Sequence, residues 1–528
     1  MPESDCTRLQ ALLGAAQRID ALLETVQRRR LGLVDAMRLV LPEACAIVGA
    51  QEAFLRTFSE DLTLVTIGWS AVPGPAAGGE MERYDDQRVM QVLDRGDEWW
   101  LVESLDVAGE WFGTVGLAIR KATCEQQELG HRQDLLHVAC EQLDNYLQAI
   151  RASREKHRVI MRISEALRHR VLGEGLRQAV GALAEAVQFD RLLLVCEAGE
   201  QAAGTLHVQL YRGADLELDT MGALPSRGDE AVLRAKARQL LRGPGRGLLE
   251  DLGVVGALEE LLINGIVDAE LVGKVFVTSK QGGFNTQDRE LLASFAGFIR
   301  QRVVDFHREW RTLARSFRPA DVARLLRTGD YATRWLSPRE ATVAMLYADI
   351  DGFTELSERV LKTPSAVGEL VAVWSQQAVQ IVWDHGGVFD KMVGDCVIAL
   401  FGPPFYEQTP GERLLAALQC ARAVRDMTRA LPERPELSHL SGVGLGVAIG
   451  VNLAPLFVGR FGVNENFTGF SSGMNNTARL QGCADRDEIL VMSAAVEELP
   501  PGHGLRFGQE RSAKVKNVAD PIRFRPLA

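Results

Sequence analysis

The sequence predicts an α+β protein of successive mixed modules, on three observations. Short runs such as "TVAMLYADI", apolar nearly throughout, and "DRLLLVCEA", with an apolar centre, read as strands. Between such runs stand long segments such as "LQALLGAAQRIDALLETVQ", with apolar residues at helical spacing and charges between them. In the last third the order reads β-α-α-β-β-α-β with further strands to follow, which fits a mostly antiparallel sheet with helices on one face.

A chain of 528 residues is too long for one hydrophobic core, and two to four domains are expected. The 46% hydrophobic content is that of a folded globular protein. A formal net charge of -11 argues against nucleic acid or an anionic membrane as the main partner. No apolar run reaches about 18 residues, so no membrane span is expected. The opening "MPESDCTRLQ" lacks the basic-then-apolar pattern of a secretory signal. The eight cysteines are scattered singly without a CxxC pair, so zinc and redox chemistry have no support. Buried thiols in a reducing compartment, and hence a cytoplasmic location, are the expectation.

Taken in order, roughly the first forty residues read as helical. "ACAIVGA" reads as a short strand, "AVPGPAAGGE" as a loop, and "EWWLVESLDVAGEWFGTVGLAIR" as strand, glycine turn, strand. A helix follows from about Gln126 into the 160s, long enough to connect or dimerise domains. The rhythm then repeats: "LRQAVGALAEAVQ" is helical, "DRLLLVCEA", "GTLHVQLYR" and "ELVGKVFVTS" are strands, and a second long helix starts where Asn285 or Thr286 can cap it. Two related domains are therefore expected, over residues 1–145 and 146–310. A helical linker at 311–339, with Pro319 suited to a helix start, leads to a last domain at 340–528. There "VGLGVAIGV" and "PLFVGRFG" read as two strands, and a helix is expected from about Thr354 through Arg359.

The chemistry concentrates in that last domain. Asp349 ends a buried strand in "YADIDGFTEL", and Asp395 lies at the Gly394 turn of a separate hairpin in "FDKMVGDCVIALFG". If the two strands are neighbours, both carboxylates meet at one sheet edge, where they repel unless a proton or cation lies between them. Oxygen ligands favour Mg²⁺ or Mn²⁺. The turn at Gly352, leading into a helix start at Phe353 and Thr354, offers backbone N–H groups that can hold phosphate. Together these describe a metal–triphosphate site. The ordinary alternative is that Asp349 and Asp351 cap a helix and Asp395 merely fills a turn.

The motifs "ADIDGFTELSE", "FDKMVGDCVIALFG" and "ENFTGFSSGMNNTARLQG" occur in the order and spacing of the class III nucleotidyl cyclase catalytic domain, which residues 340–528 resemble. The resemblance implies a ferredoxin-like domain with an antiparallel sheet. It also implies two Mg²⁺ or Mn²⁺ ions per active site, held by Asp349, Asp395 and the Ile350 carbonyl. Asn475 would orient the ribose, and Arg479 would meet charge at the α-phosphate. Adenylyl members carry a lysine four positions before the second metal aspartate, here Lys391, and Asp or Thr seven before the asparagine, here Thr468. The lysine can donate to adenine N1 and the hydroxyl can accept from the 6-amino group. Gly352, Phe353 and Thr354 would line the phosphates. Lys516 aligns with a lysine that contacts the terminal phosphates, with Lys514 as its rival. Ser471 and Pro455 depart from the family pattern. ATP is thus the expected substrate and cyclic AMP the product. Guanylyl cyclase and a non-catalytic nucleotide-responsive scaffold are the alternatives. Lys391 and Asp395, close on one hairpin, do not easily reach opposite ends of a single nucleotide, so a homodimer is expected. The resemblance implies a head-to-tail pair in which Asp349 and Asp395 of one chain face Lys391, Thr468, Asn475 and Arg479 of the other.

Residues 150–305 or so resemble a GAF domain, on "VGKVFVTSKQGGFNTQDRELLASFAGFI" and the helix near "IMRISEAL". The first module resembles a more divergent one, on "GEWFGTVGLAI". Two GAF-like domains joined by long helices imply either regulation by an unidentified small-molecule ligand or domains that only fold, dimerise and transmit. The Asn-Lys-Phe-Asp-Glu signature of cyclic-nucleotide binders is absent from both.

Overall fold

The computed structural model describes residues 3–59, 63–71, 90–107, 110–197, 206–220, 230–243, 246–264, 271–434, 437, 444–462, 466–514 and 521–528. The chain forms two compact units, Met1–Met161 and Arg162–Ala528.

In the first unit, α1 (Glu3–Arg29) and α2 (Leu33–Val48) precede β1 (Glu52–Phe58), β2 (Leu64–Ser70), β3 (Gln91–Arg95), β4 (Glu98–Val107) and β5 (Glu110–Arg120), and α3 (Leu129–Leu167) follows. The antiparallel sheet runs β2-β1-β5-β4-β3. Ile19, Met37, Leu41, Leu55, Leu101, Leu117 and Leu143 join the three helices to one sheet face. "ACAIVGA" is not a strand. Ala36, Met37, Val40, Leu41, Ala44, Cys45 and Val48 are buried at helical spacing, and α2 carries this stripe on to Gly49, whose left-handed backbone (φ 77°) ends it. From residue 72 on, the "AVPGPAAGGE" stretch lies outside the described residues.

The second unit opens with α4 (Leu172–Ala184), β6 (Phe189–Glu197), β7 (Leu206–Arg212), β8 (Asp215–Asp219), α5 (Glu230–Arg242), α6 (Arg246–Asp251), β9 (Leu258–Asn264), β10 (Leu271–Ser279) and α7 (Thr286–Ala314). Its antiparallel sheet runs β8-β7-β6-β10-β9. In both sheets the first strand pairs with the second and the last, so two α+β domains share one rhythm. Asn285 caps α7 in a reciprocal box with Asp288.

The remaining elements are α8 (Pro319–Leu326), α9 (Tyr331–Arg334), β11 (Arg339–Ile350), α10 (Phe353–Glu355), a π-helical segment Leu356–Leu361, α11 (Pro364–Asp384), β12 (Gly387–Val393), β13 (Cys396–Phe401), α12 (Pro410–Ala430), β14 (Val447–Phe461), β15 (Asn466–Phe470), α13 (Ser472–Gln481), β16 (Ile489–Met492), α14 (Ser493–Val496), β17 (Arg511–Ala513) and β18 (Ile522–Pro526). They build one sheet, β12-β13-β11-β14-β16-β18-β17, with β15 on β14. Among the described residues, only β14 and β16 pair in parallel in this sheet. The helix expected from Thr354 is the short α10, followed by the wider π turn.

Two expectations need correction. The stretches on either side of Pro455 form one strand, β14, not two. Beyond β11, β14 pairs with β16 at Ile449–Val451 and with β15 at Phe457–Phe461. Pro455 falls between these partners, where that edge has no ladder to complete. Helices also cover both faces. Ala344, Leu346, Ala348 and Ile350 pack with Trp374 of α11 and Leu414 and Ala421 of α12, while Met345, on the opposite face, lies by Thr477 and Gly473 of α13. A Cβ at Gly450 would stand 2.7 Å from the Gln481 backbone nitrogen, so glycine there is what lets α13 lie close on β14.

Candidate active site

Strand alternation puts Asp349 on the α13 face, together with Met345 and Tyr347. The β11–β13 register pairs Ala348 with Val397, and Val393 pairs with Cys396 across the two-residue turn Gly394–Asp395. Gly394 has φ 63°, the left-handed backbone that a tight hairpin needs at its first turn position. The turn therefore delivers Asp395 beside the end of β11, and the two carboxyls come close enough to share a proton. Burial, and then the Asp395 charge, push the Asp349 carboxyl up to about 7. Asp395 is also raised by burial, although backbone N–H groups at Asp395 and Ile350 and the Asp349 side chain pull it down. Its Oδ2 is buried without a hydrogen-bond partner.

Two such carboxyls cannot both ionise without a compensating cation. Among the described residues, no group of three or more His, Cys, Asp or Glu is placed to hold a metal ion. The donors on offer are two carboxylates and nearby backbone carbonyls, all hard oxygens. That set fits a divalent cation that completes its shell with water and substrate phosphate, as Mg²⁺ does. At Gly352, φ is 66°, and the chain turns there into α10.

The second group is built on β12 and β15. Lys391 on β12 donates through Nζ to the Thr468 hydroxyl on β15 at 3.1 Å. The two residues expected to read the base, 77 positions apart, are thus in contact within one chain. Asp390, which the sequence reading passed over, completes the cluster. Its side chain is 0% exposed and its Oδ2 is 3.6 Å from Lys391 Nζ. Burial raises its carboxyl, against the opposing pull of the Thr468 hydroxyl and Lys391 ammonium. Next to them, Phe470 and Phe457 are 55% and 49% exposed, and Val393 is exposed too.

Asn475 and Arg479 lie one turn apart on α13, which the Ser471 hydroxyl caps by accepting from Met474 N–H. Arg479 donates to Asn476 Oδ1 at 3.1 Å. Among the described residues, neither Asn475 nor Arg479 bonds to Asp349 or Asp395. Lys514 is exposed after β17, and Lys516 lies outside the described residues. The structure thus joins Asp349 to Asp395 and Lys391 to Thr468, as two separate groups.

Residues 336–523 match the family model described as "Adenylate and Guanylate cyclase catalytic domain". This part of the chain is thus similar to the catalytic domain of the nucleotidyl cyclases. An uncharacterised Mycobacterium tuberculosis protein is 30% identical over 193 residues, 36% of this chain and 33% of its own length. "Putative adenylate cyclase 3" of Rhizobium meliloti is 27% identical over 187 residues, 35% of this chain and 28% of its own length. The chain thus spans about a third of these curated relatives or less. The crystal structure of the adenylyl cyclase CyaB from P. aeruginosa is 24% identical, covering 37% of this chain and 96% of that one, with a TM-score of 0.33. Among the described residues, no helix is long and apolar enough to cross a membrane.

Proposed function

We propose that this chain is an adenylyl cyclase that converts ATP to 3′,5′-cyclic AMP and pyrophosphate at sites shared between two copies. The observation that carries the choice of ATP is the Lys391–Thr468 contact. It presents an ammonium donor beside a hydroxyl that can accept, the complement of adenine N1 and its 6-amino group; guanine offers an N–H and a carbonyl at those positions.

In the reaction, the ribose 3′-oxygen attacks the α-phosphorus in line, the bond to the bridging oxygen breaks, and pyrophosphate leaves. Asp349, Asp395 and the Ile350 carbonyl would hold Mg²⁺ or Mn²⁺, which when bound lowers the pKa of the 3′-hydroxyl and offsets phosphate charge. Arg479 meets the charge that grows on the α-phosphate oxygens. Asn475 hydrogen-bonds the ribose and fixes the angle of attack. The backbone from Gly352 through Phe353 and Thr354 faces the phosphates, and Lys516 or Lys514 reaches their far end. The 3′-hydroxyl proton passes to solvent or to the substrate.

Sharing of the site follows from reach. Asp395 and Lys391 are on one hairpin, yet must touch opposite ends of the nucleotide. A second copy, related by a two-fold axis, supplies the missing end and would cover the exposed Phe457, Phe470 and Val393. The second α+β domain holds a cavity of about 560 Å³ lined by Leu210, Leu218, Leu233, Leu248, Arg191 and Glu217. Its size suits a small ligand, and we assign a GAF-like sensory role to that domain and its predecessor, in a cytoplasmic protein.

The purified chain with Mn²⁺ should release cyclic AMP from ATP and far less cyclic GMP from GTP. Lys391→Glu should lower cyclic AMP formation roughly a hundredfold, because the acid faces an acceptor. An unchanged rate in that variant would refute the base assignment, and no product from either nucleotide would refute the enzyme reading.

A further inference from the structure

Asp390 directly precedes Lys391 in β12, and neighbours in a regular strand point to opposite faces. Here the register steps from Phe389↔Ala399 to Lys391↔Ile398, which leaves Asp390 as the extra residue of a bulge. Bulges re-aim side chains beside active sites. This one buries the Asp390 carboxylate completely, 3.6 Å from Lys391 Nζ. Neither of its oxygens makes a hydrogen bond of full geometry. A buried carboxylate in that condition takes any donor within reach. The donors beside it are the Lys391 ammonium and the Thr468 hydroxyl.

The Thr468 oxygen already accepts from Lys391, and the hydroxyl has one proton of its own. A free hydroxyl reads bases poorly, because it can accept from an amino group or donate to a carbonyl. Threonine alone therefore gives no reason to prefer adenine over guanine at the 6-position. We infer that Asp390 is a specificity-determining residue that accepts the hydrogen bond of the Thr468 hydroxyl and so leaves only lone pairs facing the base. This rests on the reading of Lys391 and Thr468 as the base-binding pair. With Asp390 in place, that pair is one donor and one obligate acceptor. Adenine satisfies both. Guanine sets N–H against the Lys391 ammonium and a carbonyl against the Thr468 lone pairs, and both contacts repel. Asp390 acts through Thr468 and has no need to touch the nucleotide.

The test is the ratio of kcat/KM for ATP to kcat/KM for GTP, measured on one preparation so that loss of folded enzyme cancels. Asp390→Asn keeps the shape of the side chain, but its amide can donate to Thr468 and free the hydroxyl proton to point outward. The ratio should fall about tenfold or more, mainly through better use of GTP. In a Thr468→Val background the same change should leave the ratio where Thr468→Val alone puts it. Asp390→Ala removes the acceptor outright and gives the same test should the amide variant fail to fold. An unchanged ratio in the Asp390 variants of a parent that prefers ATP overturns the inference and leaves the base assignment standing. A parent without preference for ATP overturns the base assignment, and the inference with it.

Discussion

The backbone N–H of Phe389 donates to the Ser316 carbonyl at 2.9 Å. Ser316 lies just past the end of α7, and Phe389 is next to Asp390 and Lys391 on β12. The same carbonyl accepts from Trp383 Nε1 at 3.1 Å. One residue on, Phe317 is 1% exposed and meets Phe467, the neighbour of Thr468, edge to face at 4.9 Å. The end of the long helix is thus fastened to both strands that carry Lys391 and Thr468.

In the proposed cyclase, that attachment would make α7 a lever on the site. Phe317→Ala should cost about 3 kcal/mol of stability and raise KM for ATP, because Phe467 loses the ring that holds it. Two residues inserted after Arg311 would turn the upstream helix by roughly 200° relative to Ser316. Cyclisation should then change several-fold, with every site residue intact, since the proposed shared site would tolerate little displacement. Denaturant melts and initial rates check both. An insertion variant with parental kinetics would show that α7 is only a tether.

The Asp349–Asp395 pair predicts a cation response. Asp395→Asn removes one of two repelling carboxylates, so the variant should melt higher than the parent in chelator. Mn²⁺ should raise the parent's melting temperature and leave the variant's nearly unchanged. A variant that responds to Mn²⁺ as the parent does would remove Asp395 from the ligand set.

How much of this was legible beforehand differs by residue. Asp349 and Asp395 were readable because a strand end and a glycine turn are written in local sequence, and β-pairing brings them together. Lys391 and Thr468 were readable only as a resemblance, since nothing local tells that β12 and β15 meet. Asp390 was illegible: simple alternation points it away from Lys391, and a bulge leaves no local sign in "VFDKMV". "ACAIVGA" misled because its apolar run suits either a strand or a helix, and the helical stripe starting at Leu33 decided it. The unity of β14 depends on which strands flank it, which is a tertiary fact.

The first unit should show a pH dependence of its own. Burial, with Glu141, Asp106 and Glu103 adding negative charge, pushes the Asp144 carboxyl on α3 up to about 7, and His137 opposes this. Cys140, one turn earlier on α3, is raised well above the usual thiol range by burial. A carboxyl raised on folding holds its proton longer in the folded state, so its contribution is fullest below the unfolded value and is lost as pH rises towards 7. Asp144→Asn should therefore melt increasingly above the parent as pH climbs from about 4 to about 7, with a constant gap beyond. A gap that does not depend on pH would mean that Asp144 ionises freely.

The sharpest trial of the shared site uses two inactive proteins. Asp349→Ala and Arg479→Ala should each be nearly inactive alone. Suppose each site takes its aspartates from one copy and its arginine from the other. A heterodimer of the two variants then places both lesions in one site and leaves the other whole. Random exchange makes half of the dimers mixed, each with one good site of two, so activity should return to about a quarter of the parental level. If each chain instead built its own site, one site would lack the aspartate and the other the arginine, and nothing would return. Exchange is followed by co-purification of differently tagged chains. Mixed dimers without activity would therefore place Asp349 and Arg479 on the same nucleotide from the same chain.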